Sequence, residues 1–596
     1  MKQFWITFFG SIVGVIIGSV LTVILAVFLI AGLVGSAIQS ADAPAPLPSG
    51  DIVLELDLRE TRLDQPTRSP FAFTNPLSTT EIIAALERAE TDERVKGIFV
   101  RANEFGMPGA QAEELRRAFE SLEAAGKFVV AHAQGFEGTG VVNYFAVAGA
   151  SELWLQDTAG FAATGLSTAT PFLGGFFEQF GVEPEFVQFY EYKNAANVYT
   201  ETDYTEAHRE ATLSYLGSIF DTAIESAASD RGMETAAMEA VITSGPYSAE
   251  QAQQAGLVDR LGHVVTARDA ALERAGGVEA TLAIEDYFHA APPITGNRAP
   301  ALIALVSGQG AIVTGEGEAG FGGDELIGSD RLARAIDAAV ADEDVRAIVL
   351  RVDSPGGSAT ASDQIWHSVV RAREAGKPVV VSMGTLAASG GYYISAPANL
   401  IYANATTITG SIGMLSGKFV IDDALGRIGL NVEPLHVGGE YTLAYSSQTE
   451  WTEYQREAFY RLAEDVYEDF TEKVAEGRDL PLSRVQEVAR GRVWTGAQAL
   501  ELGLVDRIGG LRDAIEAARE LGNIGEDEAY EVRHFPSKPT PLDAFRELFG
   551  ITAEGAEAAA RVNALMELPE VRALLEAREQ SRSQSLRFVT PERAPQ

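Results

Sequence analysis

VRAIVLR at residues 345–351 repeats VKGIFVR at 95–101, and the same offset of 250 aligns EAGKPVV (374–380) with AAGKFVV (124–130) without a gap. Further along, GLVDRIG (503–509) matches GLVDRLG (256–262) at an offset of 247, and the stretches before them, RGRVWTGAQALEL and SGPYSAEQAQQA, correspond as well. Register kept from residue 95 to residue 262 marks a duplication. Each copy opens with a short strand (52–56; 302–306), followed by a helix, a buried β-branched strand, a second helix and another strand. Strands alternating with helices specify an α/β module with mostly parallel pairing. The expected organisation is a segment 1–40, a linker 41–50, a first repeat 51–295, a second repeat 296–535 and an extension 536–596 with one or two amphipathic helices.

The 596 residues carry 84 acidic and 46 basic side chains, a formal net charge of −38. Nothing in that balance supplies the basic footprint a nucleic-acid binder needs. Cysteine is absent, which removes disulfides, thiolate metal sites and cysteine nucleophiles together. Zinc would have to use the seven histidines, and no two stand at helical ligand spacing. Only eight of the basic residues are lysine (Lys2, Lys96, Lys127, Lys193, Lys377, Lys418, Lys473 and Lys538). In a chain that meets its surface charge with arginine, a lysine in an apolar setting stands out.

Gln3 to Ser40 holds no charged residue, and Phe4 to Ile38 is rich in Ile, Val, Leu and Phe. About 20 apolar residues cross a bilayer, whereas a cleaved signal peptide has an apolar core of only about 7 to 15. An uncleaved anchor in the lipid bilayer is expected, although Ala41-Asp42-Ala43 has the small residues of a cleavage site. With Lys2 before the run and Asp42 and Asp51 after it, the amino terminus faces the cytoplasm and the body the far side. Ala43-Pro44-Ala45-Pro46-Leu47-Pro48-Ser49-Gly50 then reads as a proline-rich linker.

The copies serve as each other's control. Where the second reads Arg351-Val352-Asp353-Ser354-Pro355-Gly356-Gly357, the first reads Arg101-Ala102-Asn103-Glu104-Phe105-Gly106-Met107, without the Pro-Gly-Gly turn. Where the second reads MGTLAASGG (383–391), the first reads AQGFEGTGV (133–141), which sets Thr139 opposite Ser389. Special turns persist in the second copy alone, as in an active module beside a degenerate one.

Pro378–Ser382 reads as a buried strand, Met383–Ala388 as a tight connection and Gly390–Pro397 as a helix. Ser389 then stands at a strand-to-helix turn, exposed at the sheet edge and near the positive end of a helix dipole, which suits a nucleophile. Its alternative is a helix cap. The Pro355-Gly356-Gly357 turn can aim backbone N–H groups at the same edge, and such oxyanion donors contribute roughly 3 to 4 kcal/mol each. Ser354 and Ser358 are rival hydroxyls, Ser354 reading as structural. For a base, His367 lies on the helix after Ser358 beside Trp366, a place for packing or solvent more often than for catalysis. Setting aside lysines in turns, acidic helices and the ends leaves Lys193 and Lys418. Lys193 follows an apolar strand in Phe189-Tyr190-Glu191-Tyr192-Lys193-Asn194-Ala195, and its counterpart near Glu440–Thr442 has no lysine. Lysine acts as a base only when neutral, so burial would have to bring its pKa from about 10.4 toward 7. Surface pairing of Lys193 with Glu191 or Glu201 is the alternative.

SMGTLAASGGYYIS (382–395), TGSIGM (409–414), RVDSPGG (351–357) and VWTGAQALELGLVDRIGG (493–510) together resemble the signal peptide peptidase A (protease IV) family in its long, duplicated bacterial form. The resemblance covers roughly residues 1–535. It implies tandem ClpP/crotonase-like modules behind a transmembrane helix, in a serine protease of the cytoplasmic membrane whose body lies on the periplasmic side. It implies Ser389 as nucleophile, Lys193 of the Tyr192-Lys193 motif as general base, Ser411 holding the lysine, and oxyanion donors at Gly356, Gly357 and Gly390. Asparagine follows Lys193 where the family commonly has serine. No cofactor or metal is implied, the substrates are cleaved signal peptides and other hydrophobic peptides, and a dyad split between repeats implies a homotetrameric ring. A crotonase-like acyl-CoA enzyme and an inactive membrane scaffold are the alternative classes.

Overall fold

The two copies fold as two mostly parallel sheets flanked by helices. In this computed structural model the described residues are 47–60, 62–66, 76–138, 140–290, 301–317 and 325–536. The anchor expected at 1–40 and all but the first residue of the extension expected at 536–596 lie outside them. Among the described residues no helix is long and apolar enough to cross a membrane.

The first sheet runs Arg260–Leu261, Glu152–Leu155, Phe128–Ala133, Val95–Arg101, Ile52–Asp57, Leu282–Ala283, with every neighbouring pair parallel. The second orders Val493–Thr495, Ile408–Gly410, Val379–Ala388, Val345–Ser354, Ala301–Gln309 and Tyr530–Phe535. Val345–Ser354 is buried almost throughout, as parallel strands covered on both faces must be. Matching side chains make matching bonds in the two copies. Lys127 Nζ donates to the carbonyls of Asp92 and Val95, and Lys377 Nζ to those of Asp342 and Val345. Tyr144 reaches the Leu257 carbonyl as Tyr392 reaches that of Leu504.

Those bonds also correct the alignment at the turn. The lysines keep the offset of 250, but the tyrosines stand 248 apart, so the first copy has two extra residues between them. Ser389 N–H donates to the Gly410 carbonyl and heads the helix Gly390–Ser395; Val141 N–H donates to the Gly165 carbonyl and heads Val142–Phe145. The residue at the position of Ser389 is therefore Val141, not Thr139, which lies outside the described residues. The first copy has no hydroxyl there. The expected connection Met383–Ala388 is instead strand: Val379–Ala388 is continuous, its first half pairing with Leu400–Ala403 and its last three residues with Ile408–Gly410. Asp353, whose carboxylate accepts the Leu386 N–H at 2.8 Å, bonds across the point where the register with Val345–Ser354 shifts. The helix expected to reach Pro397 stops at Ser395.

One pairing joins the copies directly. Glu183–Gln188 runs antiparallel to Leu415–Val420, from Glu183 opposite Val420 to Gln188 opposite Leu415. Val187 and Phe189 of the first copy thereby enter the core of the second. Residues 432–437 of the second copy (VEPLHV) are the counterpart of 182–187 (VEPEFV), yet they belong to no sheet and expose Leu435 and Val437 at 92% and 98%.

Candidate active site

Ser389 has φ 54° and ψ −119°, a conformation that costs a residue with a side chain about 1 to 3 kcal/mol and persists only where its surroundings hold it. Gly356 leaves the room: a Cβ there would stand 2.8 Å from Ser389 Cβ and 2.6 Å from the Gly390 nitrogen. The Ser389 side chain makes no capping bond to the helix it heads. Its Oγ instead lies 3.1 Å from Lys193 Nζ.

Lys193 arrives at the end of the arm formed by Glu183–Gln188. Beyond the ladder, Phe189 N–H donates to the Met414 carbonyl at 2.9 Å and Tyr190 N–H to that of Arg490 at 3.3 Å. The chain then turns, with Lys193 N–H donating to the Tyr190 carbonyl. Gly491, at φ 76°, packs against the lysine backbone, and a Cβ there would stand 2.4 Å from Lys193 Cβ. Lys193 is 7% exposed. Its ammonium nitrogen also donates to the Ser411 carbonyl at 2.8 Å and Oγ at 3.0 Å. Burial alone brings its pKa down to about 7. The surface pairing does not occur, because Glu191 binds Arg490 at 2.9 and 3.0 Å. Ser411, itself at φ 50°, is held by its N–H on the Arg492 carbonyl at 2.7 Å.

The remaining residues separate cleanly. Ser354 Oγ donates to the Gly310 carbonyl at 2.7 Å and accepts the Gly356 N–H at 3.1 Å, so it braces the turn. That bond occupies the Gly356 N–H. Gly357 and Gly390 are close enough that a Cβ on Gly390 would stand 3.2 Å from the Gly357 nitrogen. Ser358 caps the helix Ala359–Glu374, and His367 is exposed on that helix. Lys418 lies on the arm's partner strand, 3.6 Å from Glu185. Sequence reasoning missed Gly491, Asp353 and the strand pairing that carries the lysine across. An acid near the end of a largely apolar strand, within RVDSPGG, is the local sign of Asp353, whose carboxyl is pushed up to about 7, by loss of solvent first and then by Asp64.

A buried lysine, neutral over part of the physiological range and one hydrogen bond from a strained serine, can take a proton from that serine. The model for peptidase family S49 matches residues 121–277 and 371–525, once in each copy. Serine protease SPPA, chloroplastic, of Arabidopsis thaliana is 30% identical over 463 residues, covering 76% of this chain and 67% of the relative. Protease 4 of Haemophilus influenzae is 30% identical over 477 residues, 76% of this chain and 75% of the relative. Protease 4 of Salmonella typhi is 30% identical over 485 residues, with 78% and 74% covered. With a family match in both repeats and this identity over most of its length, the chain belongs to peptidase family S49 and is a serine protease.

Proposed function

We propose that the chain is a membrane-anchored endopeptidase that uses a Ser389/Lys193 dyad on hydrophobic peptides, cleaved signal peptides among them, at the bacterial inner membrane. Ser389 Oγ attacks the peptide carbonyl while neutral Lys193 Nζ takes its proton. The Gly357 and Gly390 N–H groups hold the oxyanion, since Gly356 N–H is engaged by Ser354. Lys193 then protonates the leaving amine; after departure of that fragment it draws a proton from the water that hydrolyses the acyl-enzyme and returns it to Ser389 Oγ as the acyl bond breaks. The observation that carries this reading is the 3.1 Å contact between a buried lysine and the serine hydroxyl. The charge-free run Gln3–Ser40 supports the anchor, and its flanking charges support a periplasmic body.

The pH profile tests the base. Lys193 works when neutral, and its pKa is about 7, so kcat/KM on a fluorogenic hydrophobic peptide should climb about tenfold per pH unit below 7 and level off above it. A flat profile down to pH 5 would refute Lys193 as the base.

The two halves of the dyad meet within one chain, so the split between repeats does not by itself call for assembly. Support for an oligomer comes instead from residues 432–437. Their counterpart is sheathed by Leu415–Val420, while they remain exposed, and a second copy of the chain fits them as the equivalent partner. Leu435→Asp with Val437→Asp should reduce the mass found by light scattering to that of the single chain. An unchanged oligomer would remove this segment from the interface.

A further inference from the structure

We infer that Glu185 is a positioning residue: its buried carboxylate, with the cations paired to it, sets the register of the arm strand and so the reach of Lys193. This rests on Lys193 being the base. Glu185, 3% exposed, lies on the inward face of the arm with Val187 and Phe189. Its carboxylate accepts the Trp451 N–H at 2.8 Å and an Arg456 N–H at 2.7 Å, with Lys418 Nζ at 3.6 Å from the strand opposite. Lys418 also donates to the Thr449 carbonyl. Both Lys418 and Arg456 lie over the Trp451 ring, 5.5 and 5.6 Å from its centre.

The chemistry explains why an acid is worth burying there. A strand has a side-chain period of two, so a slip of two residues keeps the same face inward. Val187 and Phe189 could exchange apolar neighbours in such a slip with little loss. Glu185 could not: it would leave two cations and a backbone N–H behind and bury an unpaired charge. Buried ion pairs seldom add much stability, but fixing register is their best attested use. A two-residue slip carries the chain about 6.8 Å, more than twice the 3.1 Å that separates Lys193 Nζ from Ser389 Oγ. The second copy, without a lysine to deliver, has Leu435 at the equivalent position.

Glu185→Leu, which copies that leucine into the first repeat, is the test, with Glu185→Gln as the milder variant should leucine prevent folding. Each is also made with Gln188→Cys and Leu415→Cys, opposed residues of the native ladder that would be the only cysteines in the chain. Expected are a fall of at least about tenfold in kcat with KM within about threefold, an acid limb moved up by a pH unit or more as the lysine meets water, slower oxidation of the cysteine pair, and activity regained once the disulfide forms. Wild-type oxidation rate, or lost activity that the disulfide does not restore, overturns the inference. Slower oxidation with undiminished kcat would uphold the register role and instead overturn Lys193 as the base.

Discussion

Ser389→Ala and Lys193→Met are each expected to lower kcat/KM by about 10⁴-fold or more, and the double variant by hardly more than either alone, because nucleophile and base act as one unit. Without the Ser389 hydroxyl no acyl-enzyme forms. Without Lys193 the hydroxyl keeps its proton, since Ser411, the lysine's other partner, offers only a hydroxyl and a carbonyl. A peptidyl phosphonate separates the roles: it should label the wild type, leave Ser389→Ala unlabelled, and label Lys193→Met orders of magnitude more slowly. Methionine keeps most of the lysine's volume, so a folded protein is expected and lost activity reports chemistry. Near-normal hydrolysis by either variant over the whole pH range would sink the dyad.

Gly491→Ala is expected to cost about 100-fold in kcat although residue 491 has no side chain to take part in the chemistry. One methyl group would stand 2.4 Å from Lys193 Cβ and 2.5 Å from its backbone nitrogen, both fixed by the turn. The φ of 76° at Gly491 adds strain for any side chain. The Gly491 N–H is tied to the Ile412 carbonyl at 2.8 Å, next to Ser411, so the Arg490–Arg492 turn has little freedom to retreat. Lys193 must yield, and a displacement near 1 Å at a reacting group costs on the order of 100-fold. Calorimetry alongside the kinetics guards against simple unfolding: a transition lowered by only a few degrees with kcat nearly gone is the expected pair of results. Full activity in Gly491→Ala would mean that Lys193 need not sit where it does.

The sequence carried the repeat, the parallel strands and the two candidate residues Ser389 and Lys193, because each leaves a local signal. Glycine-rich turns survive in one copy, and among the few lysines of an arginine-using chain Lys193 and Lys418 stand out, of which the family resemblance picks Lys193. What it could not carry is pairing between distant strands. Nothing near Glu183–Gln188 names Leu415–Val420 as its neighbour, so the sequence does not show the route by which Lys193 reaches Ser389 of the other repeat within one chain. An ungapped alignment sets Thr139 opposite Ser389 for a related reason: two extra residues inside a turn leave the flanking strands in register. The engagement of the Gly356 N–H by Ser354 likewise depends on a hydroxyl orientation that no motif spells out.

Burying Lys193 also has a thermodynamic side. In the unfolded chain it would keep its proton to about pH 10.5, in the folded chain only to about 7. Between those values the unfolded state holds more protons, so the fold gains stability as pH rises across that window, and below it the deficit is complete. At about 1.36 kcal/mol per unit the deficit is on the order of 5 kcal/mol, as large as the whole net stability of many domains. The apolar contacts of Val187 and Phe189 in the second core must help offset it. The buried lysine is therefore maintained against the folding equilibrium.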